Sequence, residues 1–299
     1  MNPLTPVRAA VLTLCAFFTI GVLTTTTANA APPTPLKVKV APKQASVGSE
    51  IQVRGNSGLT GRKSVSLLFR DAGTRSFDHL KKVSTDKAGF YSTDVTARNS
   101  GGFKVVTPAG EESPLRRIKV RSTLKVKSVH RYVKLGDKLG IRGVVKPAGV
   151  RRIKIVIKGA GETIRTKTKK HGGFAVNWRP DESGTYKVRV FSAKNSAAIG
   201  DESRRFRVYG LRPSHASYYG PGLYGNGVAC GGTLTPSTIG VAHKTLPCGT
   251  RVTIRYQGKT VVAPVIDRGP YIAGRDYDLT EATRNRLGFG GVGTIWTNN

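Results

Sequence analysis

Cysteine is scarce in this 299-residue chain, with three in all, and Cys15 lies in an apolar N-terminal stretch, which leaves Cys230 and Cys248. Two thiols exclude a disulfide-dense scaffold, and without a Cys-x-x-Cys or His-x-x-His spacing they offer no metal-binding pattern, even with His243 nearby. Acidic residues are few, 17 against 49 Lys and Arg. Long Ala-, Leu- and Glu-rich runs, the material of helical bundles, are missing. Thr, Val, Gly and Ser are plentiful instead, a composition that leans to β structure. The one long apolar run, Ala9 to Leu23, is about 15 residues, short of the roughly 20 that a spanning helix needs. Arg8 precedes it and Ala28-Asn29-Ala30 follows it, the form of a secretory signal peptide over residues 1–30. Bulky Leu14 before Cys15 argues against a lipid-modified cysteine. An exported chain with no membrane span after cleavage is therefore expected, and its two remaining cysteines allow a single pairing, Cys230 with Cys248.

Charge is spread unevenly. Of the net +32, residues 214–299 hold eight Lys/Arg against four Asp/Glu and the signal peptide holds Arg8, so residues 31–213 carry +27. Inside a cell such a basic surface would point to nucleic acid. Outside it, no nucleic-acid partner is expected. The available polyanions are phosphate- and carboxylate-bearing wall polymers and lipid headgroups, and long-range attraction serves those equally. Residues 31–209 are accordingly expected to hold anionic wall polymers.

After a stiff Ala31-Pro-Pro-Thr-Pro35 lead-in (linker 31–36), the chain reads as strand and turn. Leu36-Lys-Val-Lys-Val40, Ile51-Gln-Val-Arg54, Arg117–Arg121, Leu124–Lys127 and Arg152-Ile-Lys-Ile-Val-Ile-Lys158 alternate apolar and basic residues, the period of a half-buried strand. Two copies are visible. Val47–Gly55 aligns with Leu135–Gly143, Gly89-Phe-Tyr91 with Gly173-Phe-Ala175, and Ser100–Val106 with Ser183–Val190. A repeat of about 85 residues suits an immunoglobulin-like β-sandwich. Two are expected, over 37–121 and 122–209. Near Tyr209-Gly210 the composition switches: Lys and Arg thin out, Gly and Tyr rise, and both remaining cysteines lie beyond.

Past that switch come Ala216-Ser-Tyr-Tyr-Gly-Pro-Gly222, Ala229-Cys-Gly-Gly232, Gly240-Val-Ala-His-Lys-Thr-Leu-Pro-Cys-Gly-Thr-Arg-Val252, Val265-Ile-Asp-Arg-Gly-Pro-Tyr271 and Tyr277-Asp-Leu-Thr280. In this order they resemble the RlpA/expansin family of cell-wall proteins, over residues 214–297. The resemblance implies a six-stranded double-psi β-barrel, hence an all-β chain of two sandwiches and a barrel, with an open groove for a polysaccharide strand and no cofactor or metal. It implies lytic transglycosylase action on peptidoglycan glycan strands, with Asp278 and Asp267 as the catalytic carboxylates. His243, Ser217, Tyr218, Tyr219 and Tyr271 would contact substrate, with Tyr224 a further flat face for a sugar ring. Expansin-like glycan binding without cleavage is the alternative, and a module engaging other wall hydrolases a third. Many RlpA members carry an acidic residue where this chain reads Ala229-Cys-Gly-Gly-Thr233.

One segment reads as helical, Leu279 to Leu287. Asp278 with Glu281 three residues on has the form of a capping box, and Gly288 suits the position that ends the helix. Asp267 before Arg-Gly-Pro also fits a turn residue.

Overall fold

Alternating burial builds the first two thirds of the chain, which a computed structural model describes over residues 35–128 and 130–299. The expected signal peptide lies outside the described residues. Eight strands come first: β1 (Lys37–Ala41), β2 (Gln44–Ser46), β3 (Glu50–Asn56), β4 (Ser64–Asp71), β5 (Asp78–Ser84), β6 (Phe90–Thr96), β7 (Gly101–Val106) and β8 (Arg116–Arg121). They form a sheet of order β1-β3-β6 facing one of order β2-β8-β7-β4-β5. Val38, Val53, Leu67, Phe103 and Val120 fill the space between them.

The next nine are β9 (Thr123–Ser128), β10 (Tyr132–Lys134), β11 (Leu139–Lys146), β12 (Arg152–Lys158), β13 (Glu162–Lys167), β14 (Gly173–Trp178), β15 (Gly184–Ser192), β16 (Asp201–Glu202) and β17 (Phe206–Tyr219). Their orders, β9-β11-β14 and β10-β17-β15-β12-β13, repeat the first set strand for strand, with β16 added beside β15. Ile153, Ile155 and Ile157 are fully buried on the inner face of β12, each stabilising by roughly 1.5–3 kcal/mol.

The duplication corrects one pairing of the two copies. Gly89 matches Gly172, not Gly173, because both take left-handed conformations, φ 82° and 84°. Tyr91 then matches Phe174: each side chain lies over a glycine of the neighbouring strand, where a Cβ would come within 2.5 Å of the Tyr91 hydroxyl at Gly55 or of the Phe174 ring at Gly143.

The remaining elements are β18 (Val241–Ala242), β19 (Arg251–Tyr256), β20 (Lys259–Asp267), β21 (Tyr277–Thr280), α1 (Glu281–Leu287) and β22 (Gly293–Thr297). With the end of β17 they close a ring of six strands, β17-β21-β18-β20-β19-β22 and back to β17. The pairs β17–β21 and β18–β20 are parallel and the others antiparallel. Tyr277, Leu279, Val241, Val265 and Ile254 fill the ring. Cys230 and Cys248 are disulfide-bonded with Cα atoms 5.6 Å apart, inside the ordinary range.

The compositional switch at Tyr209-Gly210 is no break in the backbone. β17 pairs with β15 over Phe206–Gly210 and with β22 over Arg212–Ala216, so one 14-residue strand serves both sandwich and barrel. Side chains reinforce the join. The Tyr132 and Tyr209 rings stack at 5.4 Å, Arg255 lies 4.8 Å over Tyr132, and Lys134 lies 4.1 Å over Trp296. Asn298 Nδ2 donates to Thr185 Oγ1 at 2.9 Å. Among the described residues no helix is long and apolar enough to cross a membrane.

Candidate functional site

Strand parity decides which side chains of the barrel meet. Residues 241, 265, 277 and 279 point into the ring, so their immediate neighbours face the other way. Across β17, β21, β18 and β20 the register sets Ser217 beside Asp278, Asp278 beside Ala242, and Ala242 beside Asp267. Strict alternation would turn Asp267 inward with Val265; a register shift between Val241 and Ala242 skips Ile266 and sets Asp267 level with Ala242, so the two carboxylates flank this small residue. Two strand spacings place their backbones about 10 Å apart.

Ser217 Oγ donates to Asp278 Oδ1 at 2.7 Å. Burial still raises the Asp278 pKa above the usual carboxylate value. The negative charge of Asp267 adds to the rise, while the Ser217 hydrogen bond and Arg275 oppose it. Asp267 is held differently. Its Oδ1 accepts from the backbone N–H groups of Ala229 and Arg268, both at 2.9 Å. Cys230 N–H donates to Ile266 O at 3.0 Å, so the 229–230 segment is strapped across the end of β20.

Tyr219, two residues beyond Ser217, lies on the same face. Its buried hydroxyl makes no hydrogen bond of acceptable geometry among the described residues. Burial, and then the charges of Asp267 and Asp278, raise its pKa. Tyr218 faces the opposite way. It packs on the barrel core and carries the Arg284 guanidinium 4.3 Å over its ring, so the strand does not bring it to the carboxylate row.

His243 begins the turn after β18. Its Nδ1 accepts from the backbone N–H groups of Thr245 and Leu246, at 3.1 and 3.0 Å, which leaves Nε2 to carry the ring proton. Burial lowers its pKa; Arg212, Arg268 and Lys244 lower it further, and Asp276 opposes them. Tyr271 follows the Asp267-Arg-Gly-Pro turn and is 85% exposed, a free face in the solvent. Among the described residues no three His, Cys, Asp or Glu side chains gather into a group that could hold a metal.

The helix cap differs from the expectation. Asp278 is a strand residue, and the N-cap of α1 is Thr280, whose side chain accepts from Thr283 N–H. Thr280 and Thr283 also tie the helix to Gly240 at the start of β18. The Asp278 carboxylate is therefore free of the capping duty that Asp278-x-x-Glu281 suggested. Gly288 ends the helix at φ 66° as expected, its N–H reaching Arg284 O and Asn285 O. Replacing Thr280 by Ala is expected to cost at least about 1 kcal/mol in urea unfolding, because the cap and the Gly240 contact are lost together, and an unchanged midpoint would remove Thr280 as the cap.

Two groups escaped the sequence reading. Glu281 accepts from the Tyr224 hydroxyl, and Arg284 covers Tyr218. The helical spacing of 281 and 284 shows that they share a face; nothing in an irregular loop says that Tyr224 reaches it.

Compared with known proteins, residues 215–296 match the family model described as lytic transglycolase. The chain is 38% identical over 96 residues to the endolytic peptidoglycan transglycosylase RlpA of Pseudomonas aeruginosa, covering 31% of this chain and 27% of that one. It is 37% identical over 112 residues to the Yersinia pestis RlpA, covering 37% of this chain and 29% of that one. The Neisseria meningitidis RlpA is 38% identical over 129 residues, covering 37% and 54%. The chain thus spans about a quarter to a half of these relatives' own length. A solved structure of invasin is 14% identical with a TM-score of 0.36 over 79% of this chain and 55% of that one, an overlay too loose to add to what the sheets show.

Proposed function

Because residues 215–296 form an RlpA-like double-psi β-barrel, we propose that the chain acts outside the cytoplasm on peptidoglycan, cleaving glycan strands as a lytic transglycosylase with Asp278 as acid/base. One observation carries the reading: a half-buried carboxylate in an outward-facing row, with its pKa raised by burial. Lytic transglycosylation needs a single such group. It protonates the glycosidic oxygen, then takes the proton of the sugar's own 6-hydroxyl as that oxygen closes on C1. No water is activated, so the two-carboxylate geometry of ordinary glycosidases is not required. Asp267 raises the Asp278 pKa by its charge and anchors the 229–230 strap. Ser217 fixes the carboxylate's orientation, and Tyr219 holds its hydroxyl on the same face, close to Asp267. His243 offers Nε2–H as a donor, and Tyr271 an exposed ring for a sugar face.

The test is incubation with purified, peptide-stripped glycan and mass spectrometry of the products. Chains ending in 1,6-anhydro-muramoyl residues support the enzyme. No products, with tight sedimentation on sacculi, would favour the non-catalytic binder, the reading that the carboxylate-free 229–233 loop supports.

Ser217 gives a pH signature. Its hydroxyl stabilises the ionised form of Asp278, so Ser217→Ala raises that pKa further. Protonated Asp278 then persists to higher pH. The alkaline limb of the kcat/KM profile is expected to move upward, and an unmoved limb would remove Asp278 as the titrating group.

A further inference from the structure

The outer face of the second sandwich carries a ladder of like charges. Registers across β13, β12, β15 and β17 set Arg152 opposite Lys167, Lys154 opposite Arg165, Lys158 opposite Lys187, and Lys187 opposite Arg207. These seven side chains are exposed, and alternate residues on the same strands form the buried core. Like charges directly opposite on neighbouring strands destabilise a sheet. A soluble surface would be served by mixed signs. Here none of the seven makes an ion pair among the described residues; on this face only Arg189 does, with Glu202 at 3.4 Å.

One end of the ladder opens into a groove of about 570 Å³ lined by Arg152, Lys154, Arg165, Lys167 and Phe191. Lys154 Nζ lies 4.8 Å over the Phe191 ring. Along a strand, residues on one face recur about every 6.7 Å, and strands lie about 4.8 Å apart, so the cations fall in two clusters, Arg152, Lys154, Arg165 and Lys167 at one end and Lys158, Lys187 and Arg207 at the other, with the row Thr163-Val156-Arg189 between them.

We propose that this face is a binding site for a linear polyanion of the cell wall, one bearing a phosphodiester or carboxylate in each repeat. Repulsion that the sheet tolerates when free is relieved when anionic oxygens settle between the rows. The identity of the polymer rests on the wall-acting reading above; the existence of the site does not. A single-stranded nucleic acid would ask for several stacking platforms, and Phe191, already beneath Lys154, is the one aromatic lining the groove. Arg207 of the ladder lies on β17, the strand that continues into the barrel, so a polymer held there is fixed at a distance from the machinery that would act on its neighbours.

The test uses the full chain and three probes: synthetic polyglycerol phosphate, polyglutamate and a single-stranded DNA oligonucleotide. One variant combines Lys154→Gln, Lys158→Gln, Arg165→Gln and Lys187→Gln. A control removes the same four charges from exposed positions off the ladder, Lys43, Lys138, Lys169 and Lys170. The ladder variant is expected to lose at least about tenfold in affinity for one wall-type polymer, and most of its salt dependence. The control should lose less than about twofold, and the ladder variant's Tm should not fall, because opposed charges have gone. Preference between the first two probes tells a phosphodiester from a carboxylate ligand. Equal losses in both variants, no loss in either, or tightest binding to DNA would overturn the proposal. Glycan cleavage is measured on the same samples. Cleavage without polymer binding removes the ladder alone, and polymer binding without cleavage removes the enzymatic reading alone.

Discussion

Asp278→Asn is expected to lower glycan cleavage by about 10²–10⁴-fold, the usual contribution of an acid/base group, while leaving the barrel at least as stable as the wild type at pH 7. The second half separates a catalytic from a structural role. Burial raises the Asp278 pKa in the folded chain. The fold therefore favours the protonated form, a stabilisation present below the unfolded carboxylate pKa and lost as pH rises through the folded one. At pH 7 the ionised side chain weighs against folding. Asn carries no charge, and its Oδ1 still accepts from Ser217, so the variant keeps the contact and sheds the cost. Calorimetry at pH 7 should find its Tm equal to or above that of the wild type, with any gap closing as the solution is acidified below about pH 4. An inactive variant that melts well below the wild type at pH 7 would mark Asp278 as a structural group.

The second large effect concerns the staple. Cys230 and Cys248 are 18 residues apart, and closing a loop of that length is worth about 3 kcal/mol in the chain-entropy model. For a domain of this size the Cys230→Ser/Cys248→Ser variant should melt roughly 10–20 °C lower. The loss has a local consequence too, since Cys230 sits in the strap whose Ala229 N–H reaches Asp267. Cleavage below the new melting temperature should therefore fall as well. Circular dichroism melts of wild type and variant check the first point; a shift of only a degree or two would mean that the 229–248 segment is held by its hydrogen bonds alone.

Much of this was legible in the sequence because alternation is local. Arg152–Lys158 reads as a strand with its isoleucines inward, and the structure has those bounds. Ordered motifs located the barrel, and the count of two remaining cysteines located the disulfide. Parity and pairing were not legible. Tyr218 and Tyr219 look equivalent on paper, yet one faces the core and the other the carboxylates, since that depends on where β21 pairs. Asp278-x-x-Glu281 matches a capping box, but Thr280 takes the cap because its hydroxyl also serves Thr283 and Gly240. The basic ladder is likewise invisible along one strand. It exists only across four, where separately unremarkable lysines and arginines come face to face.

An unbroken β17 also sets a scale. Arg207 and Ser217 are ten positions apart on one extended strand, at most about 33 Å. With no hinge between them, a polymer gripped at the ladder and a glycan seated at Asp278 are held by a ruler rather than a leash. Cuts would fall at a set distance from the anchoring polymer, and tension on that polymer would load β17 in shear against β15 and β22.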